Sequence, residues 1–165
     1  MKTHFERMAR YNRWANRQLY DAVAQLSAEE FHAPRIGFFP SIAKTLNHIM
    51  VGDRTWMGRF TGEGSPHRRL DEIPCAGFAD LLTAREIEDQ RIVDFMNALP
   101  AQRIDAVLHY RNMAGEPKST PLSVTLTHFF NHQTHHRGQA HAMLSSTQVA
   151  PPMLDLIYYF PMDQA

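Results

Sequence analysis

The chain has 165 residues, enough for one domain with a core of its own, and its 44% hydrophobic and 21% charged residues exclude a disordered chain. Seventeen basic residues balance seventeen acidic ones, which excludes a broad electrostatic grip on nucleic acid and leaves room only for a local basic patch. Cys75 stands alone, so neither an intrachain disulfide nor a cysteine-rich zinc knuckle can form, and its setting in EIPCAGF reads as inert filling.

The opening MKTHFERMARYNRW lacks the apolar core of a signal peptide, and no apolar run approaches the ~20 residues that span a bilayer. The expectation is a soluble cytoplasmic protein without a membrane partner. In the first segment Phe5, Met8, Ala15, Leu19, Ala22 and Leu26 recur at steps that build one face of a helix, with Asn12 on the same stripe. That helix ends near Ser27, and FHAPRIGFFP follows as a loop. Ser41, directly after Pro40, is a good N-cap for a second helix striped by Ile42, Leu46, Ile49, Asp53, Trp56 and Phe60. Glycines and prolines in TGEGSPHRRLDEIP break the pattern. A third stripe runs through Phe78, Leu82, Arg85, Asp89, Ile92, Met96 and Leu99 until Pro100 stops it.

Between Ile104 and Pro121, AVLHYRN alternates and MAGEP reads as a turn, which predicts a small β-hairpin. The fourth helix runs from about Pro121 to Ser145, and PPMLDLIYYF is a short apolar tail expected to pack back on the body. Four helices with one apolar stripe each predict an all-α four-helix bundle, a single domain over residues 1–165.

The fourth helix concentrates imidazoles: five of the ten histidines fall between His128 and His141. His128, His132 and His136, spaced by four, form one ridge that Gln139 and Met143 continue. The ridge lies on the shoulder of the apolar positions Leu122, Leu126, Phe129, Ala140 and Leu144, facing a groove between helices. His135 lies further round and His141 on the other shoulder. Imidazoles at i and i+4 reach one metal ion together, but His128 to His136 spans ~12 Å, too far for one ion to take all three. The pair is His132 with His136 or His128 with His132, and spacing alone does not choose. A third ligand must come from another helix, and His48, on the shoulder of the second stripe, is the best candidate. His4, His32, His67 and His109 read as solvated side chains.

Asn12, Asp53, Arg85 and Asp89 interrupt apolar stripes, and polar groups on a core face require hydrogen-bond partners. One reading is structural, with Arg85 and Asp89 paired to each other or to a neighbouring helix. The other lines a polar pocket around the metal with these groups and has Asp53 orient a ligand histidine.

YNRWANRQL (Tyr11 to Leu19), SIAKTLNHIMVGDRTW (Ser41 to Trp56) and LTHFFNHQTHHRGQAH (Leu126 to His141) resemble, in that order, motifs of the DinB family of metalloenzymes. The last, with His-x-x-x-His running into Arg-Gly-Gln, is the specific one. The resemblance covers nearly the whole chain and implies a DinB/YfiT-like four-helix bundle, commonly a homodimer, with three histidine ligands in a groove. Carried over, the ligands match His48, His132 and His136, which makes His128 a pocket residue. The family's name refers to DNA-damage induction, a stress response, and implies no binding of nucleic acid. Relatives in the wider superfamily transfer bacillithiol or mycothiol, and one is a maleylpyruvate isomerase.

These lines lead to an expected metal-dependent transferase that joins a low-molecular-weight thiol to a small electrophilic substrate. Zinc or nickel is the expected ion ahead of iron, manganese or copper, since imidazole ligands suit several of them. His128, Arg85 and Asp53 are the candidate catalytic residues, while Arg137, Gln139 and Asn12 are candidates for holding the thiol cofactor. Two competing readings are a hydrolase working through metal-bound hydroxide and a non-enzymatic metal-binding protein of a stress response. The first lacks the Glu of a His-Glu-x-x-His motif.

Overall fold

The computed structural model describes residues 1–163. Four long helices build it: α1 (Lys2–Val23), α3 (Ile42–Thr61), α4 (Phe78–Ala98) and α5 (Leu122–Leu144). Two short helices, α2 (Ala28–His32) and α6 (Leu156–Asp163), and a hairpin of β1 (Val107–Arg111) with β2 (Pro117–Pro121) complete it, with a 3-10 turn at Ala101–Asp105. The all-α bundle with one hairpin is the architecture the periodicity predicts. No helix among the described residues is long and apolar enough to cross a membrane.

The helix ends follow local chemistry. Ser41 caps α3 by accepting from the Lys44 amide, and Gly62 closes it in the left-handed region at φ 82°. The hairpin is antiparallel with Val107 opposite Pro121 and Arg111 opposite Pro117. Asn112 organises its turn, accepting from the amides of Ala114 and Glu116, each at 3.0 Å.

Two differences from the sequence reading have physical causes. Residues 28–32 form α2 rather than loop, because Ser27 and Glu30 make a reciprocal capping box. The apolar tail does pack back on the body, but partly as a helix: Asp163 accepts from Arg7 at 3.0 Å and from Arg10 at 2.7 Å, both on α1.

α1 packs against α4 and α5, and α3 against α5 and α4. One apolar cluster, including Phe5, Met57, Phe60, Ile92, Leu126 and Phe129, fills one part of the core. Another, including Leu19, Leu46, Met50, Leu81 and Leu144, fills a second part. The middle turns of all four helices carry a polar layer that is buried throughout. In it Arg85 donates to Asp53 at 2.5 Å and approaches Asp89 at 2.9 Å, while Gln133 donates to Asp53 at 2.8 Å. Asn12 and Asn16 donate to Asp89 at 3.2 and 2.9 Å and accept from Arg137 at 2.6 and 3.1 Å. Two guanidiniums balance two carboxylates, which is the condition under which charge tolerates burial. Sliding any helix by a turn would leave one of these charges unpaired, so the layer sets the axial register of the bundle.

Candidate metal centre

The groove between α3 and α5 gathers three imidazoles. His48 on α3 is buried, and His132 and His136, one turn apart on α5, are half-buried. His48 Nε2 stands 3.1 Å from Nε2 of His132 and 3.1 Å from Nε2 of His136. One nitrogen from each ring lies within 4.8 Å of the others, so the three could hold a metal ion.

In two of the rings the outer nitrogen fixes which edge is free. His48 Nδ1 donates to the Leu70 carbonyl at 2.8 Å, and His136 Nδ1 donates to Gln139 Oε1 at 2.8 Å. The Gln139 amide nitrogen in turn lies 3.1 Å from His135 Nε2 and donates to it. With both Nδ1 protons committed outward, the neutral rings of His48 and His136 point lone pairs at each other across 3.1 Å. Such an approach is repulsive unless a cation lies between. Two nitrogens bound at ~2.0–2.1 Å stand roughly 2.9–3.4 Å apart at ligand angles between octahedral and tetrahedral, so the donor set fits a divalent ion.

Burial keeps the rings neutral. It pushes the pKa of His48 and His136 down, and it takes His132 down to about 3 with the help of its histidine neighbours. Neutral imidazole is the form that binds metal. Phe39 stacks on His48 with ring centroids 4.0 Å apart and meets His136 edge-on at 5.7 Å. Gly52 gives His132 its place, since a Cβ there would sit 2.7 Å from His132 Cε1.

Beside the triad opens a groove of about 700 Å³, walled by Phe38, Phe39, Leu70 and Ile73 and carrying Lys44 and Asp71. Asp71 is committed to Arg69 at 2.5 and 2.8 Å, and that ion pair lowers its pKa.

The remaining residues singled out by sequence stand elsewhere. His128 is exposed one turn before His132, ring centroids 5.9 Å apart, and lies edge-on to Trp56 at 5.1 Å. Arg85, Asp53, Asn12 and Arg137 do not line the groove. They spend their polar atoms on the mid-bundle layer. Asp53 orients Gln133 and Arg85 and not a ligand histidine. Gln139 is bound to two imidazoles rather than free for a cofactor. The sequence reading missed Lys44, Phe39, Gly52 and the Leu70 carbonyl. Lys44 was legible as i−4 from His48, whereas the other three depend on how segments meet.

A model of the DinB family matches residues 1–164 of the chain. A curated relative, Protein DinB of Bacillus subtilis (strain 168), is 28% identical over 159 residues, covering 90% of this chain and 89% of the relative.

Proposed function

This chain belongs to the DinB family, and from that premise we propose that it is a metal-dependent transferase of a low-molecular-weight thiol to a small electrophile. His48, His132 and His136 would hold one divalent ion, zinc or nickel ahead of iron, manganese or copper. The observation that carries the reading is the convergence of three imidazole nitrogens, two of them on rings whose outer protons are already committed.

Three neutral nitrogens leave coordination positions free, and a divalent cation there would supply a Lewis acid that favours thiolate over thiol near neutral pH. The chain's own residues do the rest. The Leu70 carbonyl and Gln139 hold protons on the outer ring nitrogens, so both rings present lone pairs inward. Phe39 covers the His48 ring and limits the access of water. Phe38, Leu70 and Ile73 offer an apolar wall to the body of an electrophile, while the Lys44 ammonium faces a carboxylate of the thiol. Lys44 thus takes the part that sequence alone suggested for Arg137.

The hydrolase reading needs a general base. The groove's one carboxylate, Asp71, is tied to Arg69 with a lowered pKa, which makes it a poor proton acceptor. A homodimer in the cytoplasm is the assembly and location that go with this reading. The tail leaves Met153, Ile157 and Tyr158 exposed, which supports a partner surface.

The test begins with metal analysis of protein purified without a nickel column, followed by a screen of thiols against electrophiles. About one divalent ion per chain is expected, lost in His132→Ala and His136→Ala, with electrophile consumed only when thiol is present. Turnover of esters or amides without thiol would move the assignment to a hydrolase. Metal-free protein that takes up no ion on reconstitution would sink both.

A further inference from the structure

A second cavity, of about 470 Å³, lies between the C-terminal part of α3, the loop after it and the hairpin, and shares no lining residue with the histidine groove. That volume falls within the ~300–1,000 Å³ of small-molecule sites. Its walls carry Arg59, Arg68, Arg111, His67 and His109, and no carboxylate is among the lining residues. In a chain with equal numbers of acidic and basic residues, three guanidiniums without an acid make a local basic patch.

Their partners are few. Arg59 lies over the faces of Trp56 and Tyr110, at 4.5 and 5.1 Å, and its Nε is buried without a hydrogen-bond acceptor among the described residues. Burial without a neighbouring carboxylate lowers its pKa. The Arg68 guanidinium has neither a hydrogen bond nor an ion pair among the described residues, and that of Arg111 donates only to the Gly115 carbonyl at 2.6 Å. His67 is not a solvated side chain as its loop position suggested. It is 9% exposed, its Nδ1 meets Glu72 at 2.7 Å, and its Nε2 is buried without a partner. The wall thus presents guanidinium groups of Arg59 and Arg68 that no carboxylate neutralises, which is the setting an anion seeks.

The scaffold around them is built to hold still. The loop crosses α3 at Gly58, where a Cβ would lie 1.8 Å from the Gly64 carbonyl oxygen, and it turns through Gly62 and Gly64 at φ 82° and 81°. Glu72 gathers the loop by accepting from the amides of Arg68 and Arg69 and bonding His67. On the other side Gly115, at φ 80°, closes the hairpin turn.

We infer that this cavity binds an oxyanion group, a carboxylate or a phosphoryl, of a small molecule, held by Arg59 and Arg68 with His67 behind them. Planar guanidiniums with free N–H groups match such oxygens in pairs. The inference does not rest on the metal or on the transferase reading.

The test is an amide chemical-shift titration with inorganic phosphate and, separately, with succinate at constant ionic strength. It is run on metal-loaded and on chelator-treated protein, so its failure is distinguishable from failure of the metal centre. A saturable response at Gly64, His67 and Asn112 is expected with one or both anions, and the tighter one identifies a phosphoryl or a carboxylate source. Arg68→Gln, at an exposed position, is expected to weaken binding roughly tenfold or more by removing charge-assisted hydrogen bonds. Arg59→Gln does the same, and Arg103→Gln, exposed and outside the cavity, leaves it unchanged. The assignment is overturned if neither anion saturates. It is equally overturned if both cavity variants bind like the parent, or if Arg103→Gln weakens binding as much as they do.

Discussion

At position 52 glycine leaves the space that the His132 ring fills. A methyl group there forces the ring to rotate, and rotation takes one nitrogen away from the other two. Because Gly52 sits inside α3, exchange for Ala also removes backbone entropy from the unfolded chain, worth about 0.5–1 kcal/mol in favour of folding. The two effects separate cleanly. Gly52→Ala is expected to bind metal roughly 10–100-fold more weakly, the range seen when support of a ligand is lost. Chelator-treated Gly52→Ala should melt no lower than the chelated parent. Competition with a chromophoric chelator measures the first, and thermal melts the second. Of this centre, the sequence made the i, i+4 imidazole pair and His48 legible, because helical spacing alone puts them on a shoulder facing a groove. The roles of Phe39 and Leu70 were not legible, since stacking and carbonyl contacts depend on two segments meeting. The out-of-place polarity of Asn12, Asp53 and Arg85 was visible, as was the pairing of Arg85 with Asp89, but not that four helices would bring Asn12, Asp53 and Arg137 into the same layer.

Among the elements, α1 and α6 are joined by a carboxylate. Asp163 accepts from Arg10 first and Arg7 second, and those bonds hold its pKa down at about 2. A folded-state pKa below the unfolded one contributes stability that is present above the unfolded value near 3.9 and is lost as pH falls through about 2. Asp163→Asn is therefore expected to lower the melting temperature at pH 5 and to differ progressively less from the parent toward pH 2. Trp14, whose ring is 5.7 Å from that of Tyr159 on α6, reports the same loosening by fluorescence. A difference that stays constant over that range would separate the helix from the carboxylate. This contact also explains why α6 escaped periodicity analysis: its position depends on arginines some 150 residues away in the chain. The short α2 was open to reading through Ser27 and Glu30, whereas the long helices announced their ends at Ser41, Pro100 and Pro121.

Across the whole molecule, α3 and α5 meet twice, through the polar layer and through the triad. The layer balances its charges within the protein, whereas the triad leaves lone pairs facing each other. An ion that binds the folded chain only, at about 100 times its dissociation constant, stabilises it by ~2.7 kcal/mol, roughly 5–10 °C for a chain of this size. Chelator is expected to lower the melting temperature by that order, and His132→Ala to abolish the response. A His132→Ala variant that still answers to chelator like the parent would show that the ion does not join these helices. The Leu70 contact carries a different consequence, for genetic scanning. His48 is steadied by a main-chain oxygen, which every amino acid supplies alike. Exchanging the side chain at 70 leaves that oxygen in place, so a scan of point substitutions passes over the support entirely. What the contact constrains is loop length, and adding or removing a single residue between Gly62 and Leu70 withdraws it.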